Sequence, residues 1–269
     1  MTSNEERARQ LAATFRSDRG LGDAPVKDLF ELAHTIDGVD VLSMAADDAE
    51  HGSCVKSERS GRIVIAVAVT DHPMRQRSTV AHELGHVLGG DLESGANLAP
   101  GERSPEEIRA DAFARHLLLP LPALSRRFDP GHVASLDELS EVVQDYGVSP
   151  QVAAIQFKTA GLISDSKCKD WSKHTTPQLA ARFGWLNQYQ NLVLESQRER
   201  PPQRLMSRAV EGYRRGALGL PELAVWYQLP AQELAEQLGP VEAPSMPELE
   251  DLDDDWDFDG PLFTDTGSA

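Results

Sequence analysis

Apolar and polar positions change period several times along the first 120 residues, and each change predicts an element. Residues 4–19 predict a helix, with Leu11 and Phe15 set among charges. Residues 25–36 predict a second, with Pro25 at its start and Val26, Leu29, Phe30 and Ala33 on one face. Val39 and Val41 then alternate as a short strand. Cys54–Val55 and Ile63–Val69, joined by "SERSG", predict a hairpin. Ile63–Val69 is apolar throughout, the signature of a strand covered on both faces. The period becomes helical over Met74–Leu88, where Val80, Leu84, Val87 and Leu88 share a face, and Gly89-Gly90 stops it.

"DLESGANLAPGER" predicts a loop, and the helix that follows is well signed. Ser104 is its N-cap, Pro105 its first residue, Glu107 the closing member of a capping box and Pro120 its stop. Residues 136–163 predict a helix, a turn at Gly147 and a second helix, the outline of a helix-turn-helix. Residues 166–176 are polar and predict a linker; 177–239 predict a helical extension broken at "RERPP", "LGLP" and "QLP". From 240 to 269 no periodicity survives, and Pro, Glu and Asp predict a disordered acidic tail. The domain organisation expected is therefore 1–165 as one unit, with a subdomain at 136–163, then linker, extension and tail.

Charge narrows the partners. The net charge is −17, and from Glu242 onward there are ten acidic residues and no lysine or arginine. Asp137, Glu138, Glu141 and Asp145 outnumber Lys158 in the helix-turn-helix segment, which argues against a DNA reader and for a packed subdomain. The one basic cluster is Arg198, Arg200, Arg204, Arg208, Arg214 and Arg215, a candidate dock for the acidic tail with its Trp256, Phe258 and Phe263. No apolar run is long enough to span a bilayer, and the charged N-terminus lacks a signal-peptide core. Two distant cysteines, Cys54 and Cys168, make no disulfide framework and point to a reducing cytoplasm. Cys54 is a candidate inhibitory thiolate, against the plainer reading of a buried strand cysteine.

The chemistry is concentrated in "TVAHELGHVLGG". His82 and His86 stand about 40° apart around a helix and one turn apart along it, so one metal ion reaches both rings. Glu83 flanks that position, where a carboxylate relays a proton while zinc lowers the pKa of bound water. The competing reading is an ordinary amphipathic helix with two histidines. A histidine six residues beyond His86 would complete one known ligand set, but that position is Leu92. Asp91 and Glu106 are alternatives for the third ligand. Glu107 is the better candidate, because Asp111 follows on the same face to hold the free N–H of a ligating histidine. His116 is a candidate for oxyanion or substrate contact, against a structural role.

"RQRSTVAHELGH" followed by "EEIRADAFARHLLLP" resembles the ImmA/IrrE family of bacterial metallopeptidases. The likeness spans roughly 25–165. His82 and His86 match the family's zinc histidines, Glu83 its catalytic glutamate and Glu107 its third ligand. Asp111, Phe113, Ala114, Leu117, Leu118 and Pro120 match the rest of the second motif. Ser78 departs from it, standing where an apolar aromatic is common. The resemblance implies an α+β, gluzincin-like fold and a cytoplasmic, Zn2+-dependent endopeptidase of narrow specificity. It also implies a substrate, a helix-turn-helix repressor whose cleavage switches on mobile-element, stress or defence genes. Two other classes compete: a catalytically silent, protease-like regulatory protein, and a DNA-binding transcription regulator.

Overall fold

The computed structural model describes residues 3–46, 52–92 and 104–239. The acidic tail at 240–269, its docking on the arginines, and most of the expected loop before Ser104 lie outside the described residues.

The architecture is α+β, a three-stranded mixed sheet among many helices. Helix α1 (Asn4–Asp18) and short α2 (Leu29–His34) precede strands β1 (Val39–Met44), β2 (Gly52–Lys56) and β3 (Ile63–Ala68). Helix α2 starts later than the periodicity predicts. Asp28, not Pro25, opens it, its Oδ1 accepting the N–H groups of Phe30 and Glu31. The strand order is β1-β3-β2, with β1 parallel and β2 antiparallel to β3. Central β3 has Val64–Val67 buried, as its unbroken apolar run requires.

Helices α3 (Pro73–Gly89) and α4 (Pro105–Leu118) follow. Helix α3 lies against β2 and β3, and α4 is sandwiched between α3 and α1. Helices α5 (Leu121–Arg127), α6 (Leu136–Tyr146) and α7 (Pro150–Thr159) complete the region expected as one unit. The turn at Gly147 forms as read, with φ 60°. Its outer side is covered by Arg77 of α3, which donates to the Gly147 carbonyl at 3.0 Å. Ala153, Ala154, Gln156 and Phe157 of α7 are buried in the main core.

The polar stretch expected as a linker is helix α8 (Asp165–Trp171), whose Cys168 is buried in the main core. That core continues into α9 (Thr176–Arg182) and α10 (Leu186–Ser196) through Leu179, Ala180, Trp185 and Tyr189. A single buried thiol in a short helix leaves no periodic signal in the sequence. A smaller core of Ala209, Leu223, Ala224 and Leu234 holds α11 (Gln203–Arg214), α12 (Leu220–Tyr227) and α13 (Ala231–Leu238).

"RERPP" does more than break a helix. Arg200 bridges to Ser43 of β1, with backbone N–H···O distances of 3.0 and 2.9 Å in the two directions. The connection thus closes the β1 edge of the sheet, and among the described residues nothing pairs with the outer edge of β2. The arginine cluster is largely spent on the chain itself. Arg200 lies over the Phe30 ring, Arg204 donates to His34 and Ile36 carbonyls, and Arg215 pairs with Glu211.

Candidate metal centre

Helix α3 carries His82, Glu83 and His86, and it packs against β2 and α4. Its neighbour comes unusually close because position 85 is glycine. A Cβ there would lie 3.0 Å from Ala110 Cα and 3.2 Å from the Phe113 ring. Glycine in a helix interior is costly, so its presence between the histidines signals close packing. That approach carries Glu107 and Asp111 of α4 to the histidine face.

His82 Nε2 and His86 Nε2 stand 3.0 Å apart. The Glu107 carboxylate spans them, Oε2 at 3.3 Å from His82 and Oε1 at 3.2 Å from His86. The three side chains offer donor atoms that all lie within 4.8 Å of one another. The expected capping box forms only in half: Ser104 Oγ accepts the Glu107 N–H at 3.1 Å. The Glu107 side chain does not return the bond, and points to the histidines instead.

Asp111 Oδ1 lies 2.8 Å from His82 Nδ1. A carboxylate accepts, so the proton sits on Nδ1 and the Nε2 lone pair faces His86 and Glu107. Two imidazoles and a carboxylate converging in this way suit a cation such as zinc, which takes nitrogen and oxygen donors. Burial opposes charge on His82, but the bond from Asp111 and the nearby carboxylates outweigh it and raise the pKa. His86 moves the other way, lowered by burial and by His82 beside it.

Glu83 is nearly buried, and desolvation pushes its carboxyl up to about 7, with Glu107 adding and His82 opposing. It sits under β2, where Gly52 leaves it room: a Cβ at 52 would lie 3.2 Å from Glu83 Oε1 and 2.3 Å from Thr79 Cγ2. Cys54, on the same strand, has its thiol pushed up by burial and by the charge of Glu83.

Three candidates, His116 and the alternative ligands Asp91 and Glu106, are not among the converging donors. His116 is nine residues beyond Glu107, half a revolution round α4 and about 14 Å along it. Its Nε2 meets Glu5 of α1 at 2.8 Å and its Nδ1 meets Gln156 of α7 at 3.2 Å, so it is a packing histidine away from the converging donors. Asp91 lies behind His86, on the Nδ1 side at 3.9 Å, and so faces away from the converging donors. Glu106 is not in the cluster.

The mixed sheet, the histidine helix and the carboxylate from the next helix define a protease-like α+β core. Residues 37–158 match the sequence profile of the peptidase M78 family, described as the IrrE N-terminal-like domain. That segment of the chain is similar to this family, the ImmA/IrrE group. No curated protein matches the chain. Among the described residues, no helix is long and apolar enough to cross a membrane.

Proposed function

We propose that this protein is a zinc-dependent endopeptidase whose metal is held by His82, His86 and Glu107, with Glu83 as the proton-relaying carboxylate. The observation that carries the reading is the convergence of three donors from two helices beside one buried glutamate. When bound, zinc supplies a Lewis acid that polarises the scissile carbonyl and acidifies water.

The chain's own groups do the rest. Glu83 takes a proton from the attacking water as its oxygen bonds to the carbonyl carbon. It returns that proton to the amine nitrogen when the C–N bond breaks. Burial raises the Glu83 carboxyl, and a cation bound beside it would oppose that shift and favour the carboxylate that accepts the proton. Asp111 keeps His82 in the tautomer that presents Nε2 to His86 and Glu107. The edge of β2 left unpaired among the described residues offers a ladder to an extended substrate segment, and Gly52 keeps that strand close to Glu83.

The substrate we assign is a helix-turn-helix repressor, cleaved in a reducing cytoplasm; both cysteines are free. The reading is tested by mixing the protein and zinc with a repressor encoded beside its gene. Cleavage by the parent, and its loss with Glu83→Gln or a chelator, is expected. Cleavage that survives Glu83→Gln sinks the assignment, and biological output that survives it marks a silent regulatory scaffold.

A further inference from the structure

We infer that Asp91, held by Arg109, is a positioning residue for His86, its Oδ2 accepting the Nδ1–H of that ring when the metal is bound. The inference rests on the metal site proposed above and extends it to a second carboxylate that no motif marks.

It begins with "HVLGGD". Gly90 takes the left-handed conformation, φ 73° and ψ 27°. The chain then folds back on α3, and the Asp91 N–H donates to the His86 carbonyl at 3.1 Å. This closure sets Asp91 beside the ring of the very residue whose carbonyl it bonds. Gly89 makes the space: a Cβ there would lie 2.8 Å from Asp91 Oδ2. Both glycines and the aspartate thus serve one placement.

The second support comes from α4. Arg109, two residues after Glu107, donates from Nη2 to Asp91 Oδ1 at 2.5 Å. The Asp91 side chain is 8% exposed, so an ion pair holds a carboxylate that would otherwise be costly to bury. Its other oxygen, Oδ2, is buried and makes no hydrogen bond. That orphan acceptor is aimed at His86 Nδ1 across 3.9 Å, just beyond hydrogen-bond reach. His86 Nε2 already faces His82 and Glu107, which leaves the ring proton on Nδ1, toward Asp91.

The arrangement repeats that of His82. Each histidine has Nε2 in the cluster and a carboxylate on its Nδ1 side, Asp111 at 2.8 Å for His82 and Asp91 at 3.9 Å for His86. Both carboxylates come under the control of α4, one directly and one through Arg109. A small turn of the His86 ring closes the remaining gap. Such outer carboxylates fix ring orientation and raise the basicity of the ligating nitrogen.

The test is zinc affinity, by competition with a chromophoric chelator, on the parent, Asp91→Ala and Asp91→Asn. Nitrogen-15 NMR of the histidine side chains accompanies it. Asp91→Ala is expected to bind zinc about 10–100-fold more weakly. Asp91→Asn, which keeps an acceptor oxygen, recovers part of the loss. The zinc-bound parent should show a slowly exchanging His86 Nδ1–H that Asp91→Ala lacks. If Asp91→Ala does not fold, the comparison rests on Asp91→Asn, which must still bind more weakly than the parent. Parent-like affinity together with an unchanged His86 signal overturns the positioning role and leaves the metal site standing. A parent that binds no zinc overturns both.

Discussion

At the scale of residues, small side chains matter as much as the ligands. Glu83→Gln should lower peptide cleavage by about 10²–10⁴-fold while zinc binding persists, because it removes the proton acceptor but no ligand. Gly52→Ala should also lower turnover, since its Cβ runs into Thr79 Cγ2 and approaches Glu83 Oε1. Adding Thr79→Ser removes that methyl and should restore part of the rate; a double variant no better than Gly52→Ala contradicts the steric account. Gly85→Ala presses on the Ala110 backbone and should cost about 1–3 kcal/mol in chemical denaturation, with weaker zinc binding. The ligand candidates were legible in the sequence because helical spacing is local: His82, His86, Glu107 and Asp111 need only the helix period. Gly85 was open to reading as an interior glycine that must admit a neighbour. Gly52 was not, since its reason is a contact across sheet and helix. His116 misled because closeness in sequence to the second motif says nothing of the half-turn that separates it from Glu107.

At the scale of elements, two helices are locked in place by buried polar groups. Arg77, from the lead-in to the histidine motif, donates to the carbonyls of Val26, Lys27 and Gly147 at 2.6, 3.0 and 3.0 Å. It fixes α3 against the start of α2 and the α6–α7 turn. Arg77→Met leaves those carbonyls without their donor and should destabilise by about 3 kcal/mol; Arg77→Lys should rescue little, because one ammonium cannot span the fork. Helix α4 is held from behind by α1, where Arg115 and His116 meet Glu5, and buried Arg16 donates to the Leu117 carbonyl. Burial alone would raise the Glu5 carboxyl, but Arg115 and the His116 bond hold it below its ordinary range. Burial lowers His116 more than Glu5 raises it. Both folded pKa values are depressed, so both contributions are present at neutral pH. The His116 share fades as pH falls below about 6.5, and the Glu5 share below about 4.5. The thermal midpoint should therefore drop between pH 7.5 and 5.5, and His116→Gln should make that drop shallower. An equal drop in the variant would assign it to other groups.

At the scale of the whole molecule, the unit that folds extends past the segment that carries the motifs. Leu179, Ala180, Trp185 and Tyr189 complete the main core, and Arg200 closes one edge of the sheet. A chain ending after His174 should lose cooperative unfolding by circular dichroism, whereas one ending after Gly239 should keep it. The breaks at "RERPP", "LGLP" and "QLP" were legible in this region, the one between α9 and α10 was not, and the α+β class came from the resemblance to a known family. What could not be read was the attachment of these helices: Trp185 meets Ser140 and Arg200 meets Ser43, far away in sequence, and such pairings leave no periodic trace. The same physics places the proposed metal ligands, since two arrive on α3 and the third on α4, brought together by packing that spans α1, α4 and the sheet. Equilibrium zinc uptake by the parent, Glu83→Gln and Glu107→Gln tests this most directly. One zinc per chain in the first two, and loss of most of it in Glu107→Gln, is the expected result; full occupancy in Glu107→Gln, or none in the parent, would contradict it.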